Sequence, residues 1–124
     1  MHQALQITPF MHVPDLEAAL AFFVDVLGFR VVLQHDNYAY IGFGTAHIRV
    51  LAAPDAPVAT RETRRFSYYI DVRDVDALYR DLKPRLDKLP PDDIHGPADK
   101  PYGQRELLVV VPDGQILAFG QAIA

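Results

Sequence analysis

Apolar positions along this chain follow two rhythms, one of strands and one of helices, and the order of those rhythms occurs twice. Residues 5–13 form a short apolar run that stops at Pro14, and Asp15 then stands where a helix N-cap belongs. From 16 to 27 a helical stripe is made by Leu16, Ala19, Leu20, Phe23 and Leu27, with Gly28 as its left-handed stop. Three strands are expected next, over 30–34, 38–43 and 46–52, parted by His35, Asp36 and Asn37 and by Gly44 and Thr45. Residues 54–64, rich in Pro, Ala and charge, read as a linker. A strand over 66–72, a cap at Asp74 and a helix with the stripe Val75, Leu78, Tyr79, Leu82 and Leu86 then repeat the opening, and Pro84 is expected to end or kink that helix. A short strand near Leu89, a long loop over 90–104 and a hairpin of 105–111 with 116–121 complete the second unit.

Each unit is therefore βαβββ, and the chain reads as one α+β domain over 1–124, with module one at 1–53 and module two at 65–124. The duplication is visible in residues too: segment 13–18 (VPDLEA) matches 72–77 (VRDVDA) at the strand-to-helix corner. The two helices differ. The second carries a polar face of Asp76, Arg80, Asp81 and Lys83, whereas Ala18, Ala21, Phe22, Val24 and Val26 leave the first with only Glu17 and Asp25 charged. The expectation is that a second subunit covers the first helix.

Composition narrows the function. There is no cysteine, so disulfides, thiolate metal sites and thiol nucleophiles are excluded, and a reducing, cytoplasmic setting is expected. The opening residues have no basic stretch leading into a long apolar one, and no apolar run is long enough to span a bilayer. A net charge of -4 without a clustered basic face argues against nucleic acid or a membrane as partner. Arg61, Arg64 and Arg65 cluster in the linker and read as solvated.

The segments 13–29 (VPDLEAALAFFVDVLGF), 72–78 (VRDVDAL) and 112–119 (PDGQILAF) together resemble the vicinal oxygen chelate superfamily, which includes glyoxalase I, extradiol dioxygenases and bleomycin-resistance proteins. The resemblance implies paired βαβββ modules forming a curved mixed sheet cup with helices outside, usually in a homodimer, with a ligand or metal inside the cup. It places the metal-ligand positions of the enzymes at Thr8, Ser67 and Ala118, which are poor or absent donors, and at His47 or Arg49. A divalent ion needs about three protein donors, so no metal and no cofactor are expected. Residues 8–11 (TPFM), 101–106 (PYGQRE) and 118–121 (AFGQ) look most like bleomycin-resistance proteins, which the family reading describes as holding a bulky cationic glycopeptide in clefts of a dimer without chemistry.

Strand parity then nominates a ligand-binding set. Alternation puts Phe10 and His12 beside Thr8, His47 and Arg49 together, and Tyr69 and Asp71 beside Ser67, with Tyr68, Ile70 and Val72 under the helices. Tyr38 and Tyr40 share a face suited to stacking a flat ligand. Glu106 is assigned to the ligand side, Tyr102 to a lid in the 90–104 loop, and Arg49 to an ion pair with Asp71 or Glu106. The expected function is metal-free binding of an aromatic or cationic small molecule. The alternatives are a glyoxalase- or dioxygenase-like enzyme working through His47 and Glu106, and a dimer serving protein interaction. The residues show no nucleophile elbow, phosphate loop or metal motif.

Overall fold

The computed structural model describes residues 2–123. Module one runs β1 (Phe10–Val13), α1 (Leu16–Ala21), β2 (Arg30–His35), β3 (Tyr38–Phe43) and β4 (Ala46–Ala52); module two runs β5 (Phe66–Asp71), α2 (Val75–Leu86), β6 (Ile94–Lys100), β7 (Gln104–Val110) and β8 (Ile116–Ala122). Each module closes a four-stranded mixed sheet of the same topology, ordered β1-β4-β3-β2 and β5-β8-β7-β6, with the first strand parallel to the last and the other pairs antiparallel. The duplication extends to the caps. Asp15 accepts from the Ala18 amide at 3.1 Å and Asp74 from the Ala77 amide at 3.0 Å, each satisfying a backbone donor that the first helical turn leaves free.

In both sheets one set of alternate side chains packs inward. Met11, Val13, Ile41, Ile48 and Val50 face α1, and Ile70, Leu107, Val109, Leu117 and Phe119 face α2. These two sets do not form separate cores. Phe43 of β3 lies 5.8 Å from Phe119 of β8, α2 touches the end of the first helix, and Arg85 of α2 donates to the Asp25 carbonyl at 3.2 Å. The helix sides of both sheets thus share one interior, and their open faces look away from one another.

Several elements depart from the sequence reading. Only residues 10–13 of the first apolar run pair as a strand, and Leu5 and Ile7 before them are exposed. The first helix is α-helical only to Ala21; Phe22–Val26 is a π turn. The wider turn lets Phe22 and Phe23, and then Val26 and Leu27, lean on the core together, which a regular 3.6-residue turn would splay apart. The apolar excess of this segment is therefore absorbed in part by module two of the same chain. Pro84 sits inside α2, which continues for two residues beyond it to Leu86.

The largest difference lies in 90–104, where a long loop was expected. Pro91–Asp93 makes one 3₁₀ turn and β6 follows, pairing with β7. Its sequence, IHGPADK, hides it: the Gly96–Pro97 pair falls where the register shifts between His95 and Ala98, and the strand has a largely solvated edge. Residues 87–89 turn rather than extend, and Leu89 packs against the core. In the linker, Arg61 and Arg64 are not simply solvated; they reach Asp92 at 2.8 Å and Asp93 at 3.7 Å. No helix among the described residues is long and apolar enough to cross a membrane.

Because Phe119 is fully buried at the meeting of the two modules, Phe119→Ala is expected to cost about 3–5 kcal/mol. Urea denaturation followed by circular dichroism measures this. Both modules should still unfold in one transition, and two separate transitions in the wild-type protein would contradict a shared core.

Candidate functional site

On the open face of module one, β3 and β4 hold an aromatic and cationic stack. Tyr40 opposes Arg49 across the two strands, and His47 lies two residues before Arg49 on the same face. The Tyr40 and His47 rings stack at 4.9 Å with only 10° between planes, and the Arg49 guanidinium carbon stands 4.6 Å from the Tyr40 centroid. Arg49 Nη1 also donates to the Tyr38 hydroxyl oxygen at 2.6 Å. Phe10 extends the strip, half-exposed, with its ring 6.3 Å from Tyr38 and 5.9 Å from His12.

Arg30 joins this stack from β2, and nothing in the sequence pattern singled it out. It opposes Gly42, where a Cβ would stand 2.9 Å from the guanidinium, so the missing side chain gives Arg30 its path across β3. Its Nη2 lies 3.4 Å from His47 Nε2 and donates to the Gly44 carbonyl at 3.1 Å. The other ring nitrogen of His47, Nδ1, is buried and has no hydrogen-bond partner.

The open face of module two is built differently. Glu106 of β7 opposes Gly120 of β8, and Tyr69 leans from β5 across that glycine, where any Cβ would collide with its ring. Tyr69 donates to Gln104 Oε1 at 2.9 Å, and Tyr102 donates to Glu106 Oε2 at 2.8 Å. Glu106 is only 2% exposed, and its Oε1 has no hydrogen-bond partner. Burial above all, and then the neighbouring Glu106 carboxyl group, push the Tyr69 hydroxyl up to about 12. The same carboxylate's hydrogen bond raises Tyr102.

The nominated residues therefore form two groups: Phe10, His47 and Arg49 on one sheet, and Tyr69, Asp71, Tyr102 and Glu106 on the other. Among the described residues no hydrogen bond or ion pair joins the groups. The expected pair of Arg49 with Asp71 or Glu106 is not formed; Arg49 is held by Tyr38 and Tyr40, and Asp71 is exposed. Tyr102 is not on a long lid but in the tight turn 101–103 between β6 and β7. Tyr68 is on the helix side as expected, yet its hydroxyl reaches the Phe10 carbonyl of module one. Gln104 is a second residue that sequence reasoning passed over, because it fell within the supposed loop.

Among the described residues, donors for a metal do not converge. Thr8 lies before β1 and takes a hydrogen bond from Gln6, Ser67 sits at the register shift of β5, and Ala118 is buried beside Tyr69. No three His, Asp or Glu side chains come together among the described residues. A separate surface pocket of about 240 Å³ opens between the end of α2 and β6, lined by Tyr79, Leu86, Leu89 and Ile94.

Comparison with known proteins places these features in context. Residues 5–114 match the family model of the Glyoxalase/Bleomycin resistance protein/Dioxygenase superfamily. A bleomycin resistance protein from Geobacillus stearothermophilus is 29% identical over 132 aligned residues, covering 96% of this chain and 98% of the relative. A crystal structure of bleomycin-binding protein complexed with bleomycin is 25% identical with a TM-score of 0.75, covering 95% of this chain and 98% of that one. The bleomycin-binding protein from bleomycin-producing Streptomyces verticillus, solved with copper(II)-bleomycin, shares the fold at a TM-score of 0.76 and 23% identity, over 100% of this chain and 99% of that one.

Alkaline titration tests the tyrosine environment. Tyr68, through burial and then Asp113, and Tyr69 are both raised to about 12 from an ordinary 10.0, so the folded state holds their protons longer than the unfolded chain does. Stability should therefore fall as pH rises from 10 towards 12. Phenolate absorbance should show Tyr68 and Tyr69 ionising late, with Tyr102 raised as well, and Tyr69→Phe should remove one of the late steps.

Proposed function

The chain belongs to the glyoxalase/bleomycin resistance protein/dioxygenase superfamily, and on that premise we propose that it binds a small organic compound with a flat aromatic part, an antibiotic of the bleomycin kind. In this reading binding is metal-free and without chemistry, inside the cytoplasm, and the site is a cleft between two copies of the chain. The observation that carries it is the Tyr40 cluster: the rings of Tyr40 and His47 and the guanidinium of Arg49, packed together on an open sheet face, offer a flat guest stacking and cation–π contact together. That the relatives of matching length are bleomycin resistance proteins supports the choice of ligand.

The arrangement of the two sheets around one core supports a dimer in this reading. A cup needs two concave walls, and within one chain the two walls turn outward from a common core. Module one (1–53) of one copy facing module two (65–124) of the other would restore the cup, with 54–64 connecting the halves. The exposed area agrees: the chain presents 7703 Å², against about 6,700 Å² for a folded monomer of this mass. The surplus is of the order that one partner buries in a standard interface. Metal independence rests on Thr8, Ser67 and Ala118 standing where the enzymes of the family carry ligands. An enzyme working through His47 with Glu106 would also need two copies, since these residues lie on different sheets, and no geometry here favours a reaction.

Isothermal titration with metal-free bleomycin should show saturable binding, and Tyr40→Ala should weaken it about tenfold, the worth of a stacking contact. Absence of binding by the wild-type protein at high micromolar concentration would sink the antibiotic reading. Light scattering should report about 28 kDa, twice the 13.9 kDa of one chain. A monomer at micromolar concentration would remove the shared cleft.

A further inference from the structure

Resting on the reading of this face as a ligand site, we infer that Glu106 is the anchor for a positively charged nitrogen of the ligand, an ammonium or amidinium group, and that the Tyr102 hydroxyl holds its place until the ligand arrives. Glu106 is a buried carboxyl group with no basic side chain paired to it among the described residues. Glu106 is 98% removed from solvent, taking the complement of its 2% exposure, and only Oε2 has a donor, the neutral Tyr102 phenol. Its Oε1 has no partner at all. A buried carboxylate in this condition is unfavourable unless something pairs with it.

Among the described residues, the adjacent cation is committed elsewhere. Arg105, the adjacent residue, points to the helix side and is taken up by Asp76 at 3.1 Å and Asp99 at 2.9 Å. Lys100 opposes Gln104 at the end of the same face and makes no ion pair with Glu106. The remaining neighbours are Tyr69 of β5, Gly120 of β8, Ala98 of β6 and the acidic Asp71, none of which brings positive charge. Two tyrosine rings beside a naked carboxylate suit a cation by charge, by hydrogen bonding and by cation–π contact. Tyr102 is 64% exposed and sits in a turn, so it can swing out and free Oε2 without disturbing a strand. An amidinium could then take both oxygens at once.

The test uses benzamidine and its neutral isostere benzamide, titrated into ¹⁵N-labelled full-length protein. Benzamidine should shift the Glu106 and Gly120 amides and bind at least tenfold more tightly than benzamide. Glu106→Gln should abolish that preference while melting no lower than the wild type, because it removes an uncompensated charge; a clearly lower melting temperature would make Glu106 a structural residue and overturn the inference. Tyr102→Phe, which lies in an exposed turn and keeps the ring, should bind benzamidine more tightly, and weaker binding would overturn the placeholder role. Equal binding of the two probes with bleomycin binding intact refutes this inference alone. Benzamidine selectivity without bleomycin binding refutes the antibiotic reading alone.

Discussion

Everything in this fold hangs on a file of phenylalanines. Phe22, Phe23, Phe29, Phe43 and Phe119 contact one another in sequence at centroid distances of 6.1, 5.0, 5.1 and 5.8 Å, and the last step crosses from module one to module two. Two small sheets, each backed by one helix, would be marginal alone, since a unit of half this size leaves too much apolar surface in water. Joining them back to back gives one interior for both. The same joint dictates the exterior: once the helix sides are consumed, the only sheet surfaces left for a ligand are the two outward faces.

Those faces are chemically opposite. Module one presents donors, the guanidinium groups of Arg30 and Arg49 set among aromatic rings. Module two presents acceptors, the free oxygen of Glu106 and the exposed carboxylate of Asp71, again among tyrosines. A guest held between one face of each kind would experience a gradient of charge along its length, so orientation as well as affinity would be determined by the protein.

Much of this was legible from residues alone, and the reason is periodicity. Asp15 and Asp74 announced both helices, and strict alternation in β1, β4 and β5 correctly separated Met11, Ile48, Val50 and Ile70 from Phe10, His47, Arg49 and Tyr69. Failure came where a residue acts through the absence of another. Arg30 reaches His47 only because position 42 has no side chain, and Tyr69 covers its sheet only because position 120 has none. Strand β6 was missed because its edge position relieves it of the apolar alternation that marks a buried strand. The π turn was invisible for a related reason: a helical stripe with too many apolar residues signals either an external cover or a changed pitch, and single-residue spacing does not distinguish them.

The separation of the two faces has a consequence for how such a protein can change over generations. Residues on opposite sides of a common core, sharing no contacts, respond to substitution almost independently. A mutation at Phe10 or Arg30 can alter what is stacked without altering what Glu106 grips, and the reverse holds for Tyr102. On the proposed reading, the duplicated module would supply two half-sites on one shared frame, and each half could be altered one step at a time.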